Sequence, residues 1–399
     1  MPTPSEVRAQ FPALAGGFAF LENAGGSQLP RSVIEAVQAY MTNNFVQTGA
    51  NYPKSETATA VVEDAHVFAE EIVNAGDVGK AVLGASSTVL LAMIGNAYAA
   101  TWKPGDEVII AATNHEANAG PWARLEKAGA VVRHWPIDPE TFRCEPAVLE
   151  TLLNERTRLV ALPHASNIVG QTEDVKLVCD MAHNVGAKVC VDGVAYAPHH
   201  AVDVQAIGAD WYVMSLYKTF APHMGLLFGR HEAFAELIGP GHYFIPEKAV
   251  PYRWEPGAAN HESCAGFLGL RSYLAFLAGH SAYQGRSTVE AAWAEMERLE
   301  AAPHHRLVEG LRDLGARFIG PGAAVPGTSP TISFLLGEPA DVTSARVNGL
   351  ERGLRHGSMY AVRLLEGLGI PTEPGVVRAS LAHYNTVEEV DGLLEALRT

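Results

Sequence analysis

The chain has 399 residues, 48% hydrophobic and 18% charged, and its 44 acidic against 29 basic side chains give a net charge of −15. That length buries an ample core without disulfides or a structural metal, which excludes the small-scaffold classes. The acidic balance, with no basic cluster, argues against nucleic acid and anionic membranes as partners, because both are recognised by Lys and Arg side chains that neutralise phosphates.

In chain order, the opening MPTPSEVRAQFPAL has neither the basic start nor the apolar stretch of a signal peptide. No apolar run reaches the ~20 residues of a membrane span. A cytoplasmic protein is the expectation, with residues 1–20 packing near a smaller C-terminal domain. From about Asp77 to Arg230, β-rich runs alternate with helical stretches. The runs are GKAVLGA (79–85), DEVIIAA (106–112), AVVRHWPI (130–137), TRLVALPHA (157–165), AKVCVDG (187–193), DWYVMS (210–215) and GLLFGR (225–230). Such alternation marks βαβ units and a mostly parallel sheet, and continuous apolar runs are those of strands covered on both faces. Helices are read at 87–101, 119–128, 146–154 and 174–185, the last opening near Asp174 and stopping at Gly186.

After Arg253 the pattern changes. EPGAANHESC leads into long helical segments at 265–277 and 288–314. Strand-like PTISFLL (330–336), a GLRHGS turn, GVVRASL (375–381) and a closing helix at 387–397 follow. The expected architecture is α/β: a large domain over 21–262 and a linking helix with a smaller α+β domain over 263–399. Cys144, Cys179, Cys190 and Cys264 have no metal-finger spacing and read as buried free thiols. The pairs His199–His200 and His304–His305 lack the i, i+4 spacing of helix-borne ligands, and HHRLVEG reads as a helix surface, so no metal is expected.

Lys218, in DWYVMSLYKTFAPHMGLLFG, is one of eight lysines and the only one at a turn between two apolar strand-like segments. Desolvation there lowers an amine's pKa and frees it to attack a carbonyl, which is Schiff-base chemistry; the plain alternative is a lysine snorkelling to solvent. Asp192 ends the strand of AKVCVDG. Doubly wound sheets bind ligands at strand carboxyl ends, where a carboxylate can keep a pyridinium nitrogen protonated, although Asp in that place is also an ordinary cap or turn former. Ser86, Ser87 and Thr88 stand where a strand turns into a helix, as a phosphate cradle or as a simple cap. His115 follows another strand end and can stack on a flat ring or serve its loop alone. Together the four elements describe a pyridoxal 5′-phosphate (PLP) site.

The motifs NAGGSQLP (23–30), GASST (84–88), GDEVIIAATNHEAN (105–118), SNIVGQ (166–171), VDG (191–193), SLYK (215–218), EPGAANHE (255–262) and RASLAHYNTVEEVDGLLEAL (378–397) follow one another in a telling order. That order and spacing resembles the class V aminotransferase family, more narrowly its cysteine-desulfurase-like branch of fold type I PLP enzymes. The resemblance implies a seven-stranded large-domain sheet, with Lys218 as the Schiff-base lysine, Asp192 on the pyridine nitrogen and His115 stacked on the ring. Ser87 and Ser215 match phosphate ligands, Ser86 lies beside them and Tyr217 is in reach. Arg378 matches the clamp for the substrate carboxylate, a task that suits a bidentate guanidinium, and Asn167 assists it. The loop 23–28, with Gly25 and Gly26, walls the pocket. A homodimer with shared sites is also implied, Asn51, Tyr52 and the EPGAANHE segment reaching the neighbouring site.

Departures from the family pattern bear on the reaction. Tyr360 in RHGSMYAVRL stands where desulfurases carry a nucleophilic Cys, and a phenol is a poor sulfur acceptor. Tyr360 is then a proton donor or a pocket wall. Ala195 replaces a Gln that touches the ring oxygen, Tyr217 replaces a His before the lysine, and Ala258 replaces a partner-crossing Thr, a contact left to Asn260. The expected activity is a PLP-dependent lyase that takes a small amino acid as an external aldimine and cleaves at Cβ. Elimination of a sulfur or carboxyl leaving group ranks ahead of decarboxylative carbon–carbon bond formation, with transamination or epimerisation as the alternative.

Overall fold

The computed structural model describes residues 1–398. Seven strands build the main sheet: β1 Gly79–Gly84, β2 Glu107–Ala111, β3 Val131–Trp135, β4 Thr157–Pro163, β5 Lys188–Asp192, β6 Trp211–Ser215 and β7 Gly225–Arg230, in the order β1-β7-β6-β5-β4-β2-β3. β7 runs antiparallel to β1 and β6, and all other pairs are parallel. The carboxyl ends of β1 to β6 therefore share one edge. All seven strands coincide with the apolar runs of the sequence to within two residues at either end.

The runs are continuous because both faces are covered. Val82, Ile110, Ala161, Cys190 and Val213 pack into one layer. Their neighbours Leu83, Ile109, Val160, Val191 and Met214 pack into the other.

Two long helices precede the sheet, α1 Arg31–Asn43 and α2 Pro53–Val73, and α3 Ser87–Ala99 follows β1. α4 His261–Leu277 packs on α1 and α2, and α5 Arg286–Asp313 packs on α6 Val387–Arg398. A second sheet, β8 Arg317–Phe318, β9 Thr331–Leu335, β10 Arg355–Gly357 and β11 Val376–Ser380, is antiparallel in the order β10-β11-β9-β8. We propose the division at 262/263 on this change of sheet. The N-terminal segment reaches the second part: Arg8 donates to the Tyr384 carbonyl at 2.7 Å and to Glu389 at 2.9 Å.

Two sequence readings are corrected. GLRHGS is more than a turn: Arg352–Gly353 pairs in parallel with Ala19–Phe20, and β10 pairs with β11. These edge strands are held by backbone bonds to distant segments, so their own residues carry no apolar alternation. His304 is buried, while His305 is exposed. The helical repeat turns His304 inward with Leu307, Val308 and Leu311. All four cysteines are free and buried. Among the described residues no helix is long and apolar enough to cross a membrane, and no cluster of side chains suited to hold a metal occurs.

Candidate active site

The shared edge of β1 to β6 opens into a pocket lined among others by Ser87, His115, Asn167, Asp192, Ser215, Tyr217 and Lys218. Each sits at or just past a strand end, because a parallel strand buried on both faces can show a functional side chain only where it stops. Lys218 closes the 3₁₀ turn Leu216–Lys218 after β6. Burial pushes its amine down to about 8, and the nearby Arg378 charge adds to this, against the pull of Asp192 and Glu22. Asp192 is 5% exposed. Burial pushes its carboxyl up to about 6, opposed by the Val194 N–H it accepts at 2.9 Å and by Lys218. The turn-former reading of Asp192 is thus satisfied, yet one N–H leaves the carboxylate short of a cation.

His115 accepts the Ala117 N–H on Nδ1 at 3.0 Å, which puts the ring proton on Nε2. Burial, then the charges of Lys218 and Arg378, hold its pKa down to about 4, so the ring is neutral at pH 7. The Ser87 and Ser215 hydroxyls bond each other across the gap between α3 and β6. The start of α3 reaches so close to β7 that a Cβ on Gly225 would lie 2.4 Å from the Ser86 carbonyl carbon. First-turn N–H groups of a helix have no intrahelical partner, so this end of α3 offers donors to an anion.

Arg378, on β11, is 2% exposed. One Nη donates to the Asn167 carbonyl at 3.1 Å and the other to Glu22 at 3.1 Å. Its Nε and the Asn167 Oδ1 are buried with no partner. Burial brings this guanidinium down to about 10, Glu22 opposing. The Asn167 amide also donates to the Met359 carbonyl at 3.0 Å, tying the clamp to the loop that carries Tyr360. Tyr360 is exposed, its ring centroid 5.3 Å from that of His115 and its carbonyl accepting the Glu116 N–H at 2.8 Å. The loop 23–28 lies against the lysine turn: Ser27 N donates to the Tyr217 carbonyl at 3.1 Å, and a Cβ on Gly26 would sit 3.5 Å from the Tyr217 ring.

Of the expected site residues, Gly25, Gly26, Tyr360 and Arg378 are not part of this pocket's lining, and Ser86 and Asn260 stand apart from it. The Ser86 hydroxyl caps α3 by accepting the Val89 N–H at 3.2 Å and does not line the pocket. Asn260 caps α4, accepting the Ser263 N–H at 2.7 Å, and lines a separate groove with Tyr40 and Phe45. Sequence reasoning passed over Glu22 and Arg355. Glu22 is the lone acid beside the glycine pair of NAGG, and only the fold sets it on an arginine 356 residues later.

A phosphate-bearing pyridine ring fits these donors. A buried carboxylate short of a cation suits a pyridinium, a desolvated amine suits an aldehyde, and a helix start with two hydroxyls suits a phosphate. Comparison with known proteins agrees. The family model Aminotransferase class-V matches residues 19–393. The chain belongs to the class V aminotransferase family. It is 36% identical to the aminotransferase-like protein FGM3 of Gibberella zeae, covering 98% of this chain and 96% of that one. It is 31% identical to a cysteine desulfurase of Klebsiella pneumoniae over 98% and 97% of the two chains. The cysteine desulfurase of Thermococcus onnurineus NA1 superposes with a TM-score of 0.87 at 25% identity, over 99% of this chain and 97% of that one. These findings support the cysteine-desulfurase-like branch, a fold type I architecture and dependence on PLP.

Proposed function

We propose that the chain is a PLP-dependent lyase that cleaves a bond at Cβ of a small amino acid without a persulfide-carrying cysteine. The observation that carries the reading is the pairing, in one pocket, of the desolvated Lys218 amine with the cation-poor Asp192 carboxylate. When bound, the cofactor supplies an electron sink for the pair left at Cα when a bond there breaks. In this reading Asp192 holds the pyridine nitrogen protonated, His115 covers the ring as a neutral imidazole, and Ser87, Ser215 and the start of α3 hold the phosphate. Lys218 carries the cofactor and, once released, moves the proton at Cα. Arg378 and Asn167 orient the substrate carboxylate.

The cysteines support the absence of a protein persulfide. Burial pushes the thiols of Cys144 up to about 11 and of Cys179 and Cys264 up to about 12, and it holds the Cys190 thiol well above the usual thiol range too. A nucleophile for sulfur has to be an accessible thiolate. A leaving group freed at Cβ would therefore pass to solution. The exposure of Tyr360 favours a wall role for that residue over proton donation. A cytoplasmic homodimer belongs to the same proposal, supported by Asn260 lying outside its own chain's pocket and by the exposed Ile34, Met41, Phe45, Tyr52, Tyr243 and Phe244. The test is incubation of the PLP-loaded enzyme with cysteine, cysteine sulfinate and aspartate, with and without an aldehyde. Absorbance is followed and products are identified by mass spectrometry. Release of alanine or of a β-eliminated product supports the lyase. Accumulation of the amine form of the cofactor with an amino donor alone points to an aminotransferase.

A further inference from the structure

Arg355 and Arg378 stand directly opposite each other on β10 and β11. Like charges in that cross-strand position repel and need a counter-ion. Glu22 supplies it, with Oε1 3.1 Å from Arg378 and 3.5 Å from Arg355. It does so on the very edge a substrate needs. A carboxylate grips the side of a guanidinium through Nε and the adjacent Nη; here that Nη is taken by Glu22, while Nε is buried and unpartnered. Room for this arrangement comes from Gly25, where a Cβ would fall 2.1 to 2.4 Å from the carboxyl atoms of Glu22.

We propose that Glu22 is a built-in competitor for the carboxylate clamp. It holds Arg378 while the site is free of substrate and shifts fully onto Arg355 when a substrate carboxylate takes the Nε edge. Because Arg355 is then neutralised from within, no unpaired cation remains for a second acidic group, and the site selects amino acids with uncharged side chains. The inference rests on the reading of the Lys218 pocket as a PLP site and narrows its substrate class.

Three amines titrated into the PLP-loaded enzyme, followed by the cofactor's absorbance, test it: L-alanine with one carboxylate, L-aspartate with two, and ethylamine with none. Glu22→Gln should tighten L-alanine about tenfold, the worth of one charge-assisted hydrogen bond no longer contested, and leave ethylamine within about twofold. Gly25→Ala, which evicts the same carboxylate by crowding, should move L-alanine in the same direction. L-aspartate should bind the wild type more weakly than L-alanine and gain more than L-alanine in Glu22→Gln. Weaker or unchanged L-alanine binding in Glu22→Gln, with ethylamine unaffected, overturns the proposal and makes Glu22 a positioning residue for Arg378. Tighter wild-type binding of L-aspartate than of L-alanine overturns the selectivity. If the protein takes up no PLP that borohydride fixes to Lys218, the PLP reading of the pocket fails, and the proposal fails with it.

Discussion

Glu107 and Asp192 are both buried carboxylates of one mostly parallel sheet, the first at the start of β2 and the second at the end of β5. Glu107 has its cations with it. Arg133 donates through two nitrogens, Asn154 donates at 2.8 Å and Arg156 lies at 3.1 Å. The Arg133 hydrogen bonds lead in holding its carboxyl down to about 2. Asp192 has one turn N–H and the charge of Lys218, and burial carries it up to about 6. The lower edge of the sheet satisfies its charge internally. The upper edge leaves a costly group short of a partner, as expected where a ligand completes the set.

The largest effect that tests this contrast is expected at Lys218. Lys218→Ala should lower turnover by about 10³-fold or more. Thermal stability should stay the same or rise, because a desolvated amine is removed. A variant that keeps a tenth of the turnover, or that still fixes cofactor on borohydride treatment, breaks the assignment. Next comes a pair of substitutions measured by thermal melting of the cofactor-free protein between pH 4 and 8. The raised folded pKa of Asp192 means that its favourable contribution is present below 3.8 and is lost as pH rises through about 6. Asp192→Asn should therefore change little at pH 4 and stabilise by up to roughly 3 kcal/mol at pH 8. Glu107 has a lowered pKa, so its contribution is present above 4.5 and fades only as pH falls toward 2. Glu107→Gln should cost about 2 to 3 kcal/mol at pH 8 and about the same at pH 5. Two variants that shift melting in the same direction at pH 8 would erase the distinction between the edges.

The upper edge was legible in the sequence because its parts are local. A continuous apolar run gives the strand, and the polar residues at or shortly past its end give the site, as with Asp192 after VCV, His115 after VIIAATN and Lys218 after WYVMSLY. The carboxylate clamp is assembled from residues 22, 167, 355 and 378, which no spacing rule relates. Arg378 and Asn167 were placed by resemblance alone, and Glu22 by nothing at all. α1 was passed over, although Val33, Val37 and Tyr40 recur at a helical spacing. The buried face of α2, from Ala58 through Val62, Ala65 and Ala69 to Ile72, did carry a helical period that could have been read.

The smallest expected effect belongs to Tyr360, and it separates the two roles the sequence left open. A proton donor has to bring its hydroxyl to the pocket, whereas a wall needs only the ring and the backbone. The structure gives the ring a contact with His115 and gives the carbonyl a bond from Glu116 N, with the residue 63% exposed. Both Met359 and Tyr360 hold left-handed backbone, at φ of 45° and 61°, a conformation that non-glycine residues keep only where the surroundings hold them to it. What holds them is the Asn167 amide on the Met359 carbonyl and the Glu116 N–H on that of Tyr360, so the loop is bound to the clamp through its main chain. Tyr360→Phe keeps all of these contacts and should change kcat by less than about threefold. Tyr360→Gly removes the left-handed strain but also the ring over His115. It should stabilise the loop by up to about 1 kcal/mol while raising KM more than it lowers kcat. A tenfold fall in kcat for Tyr360→Phe would instead assign the hydroxyl to proton transfer, and would mean that the loop moves it inward during turnover.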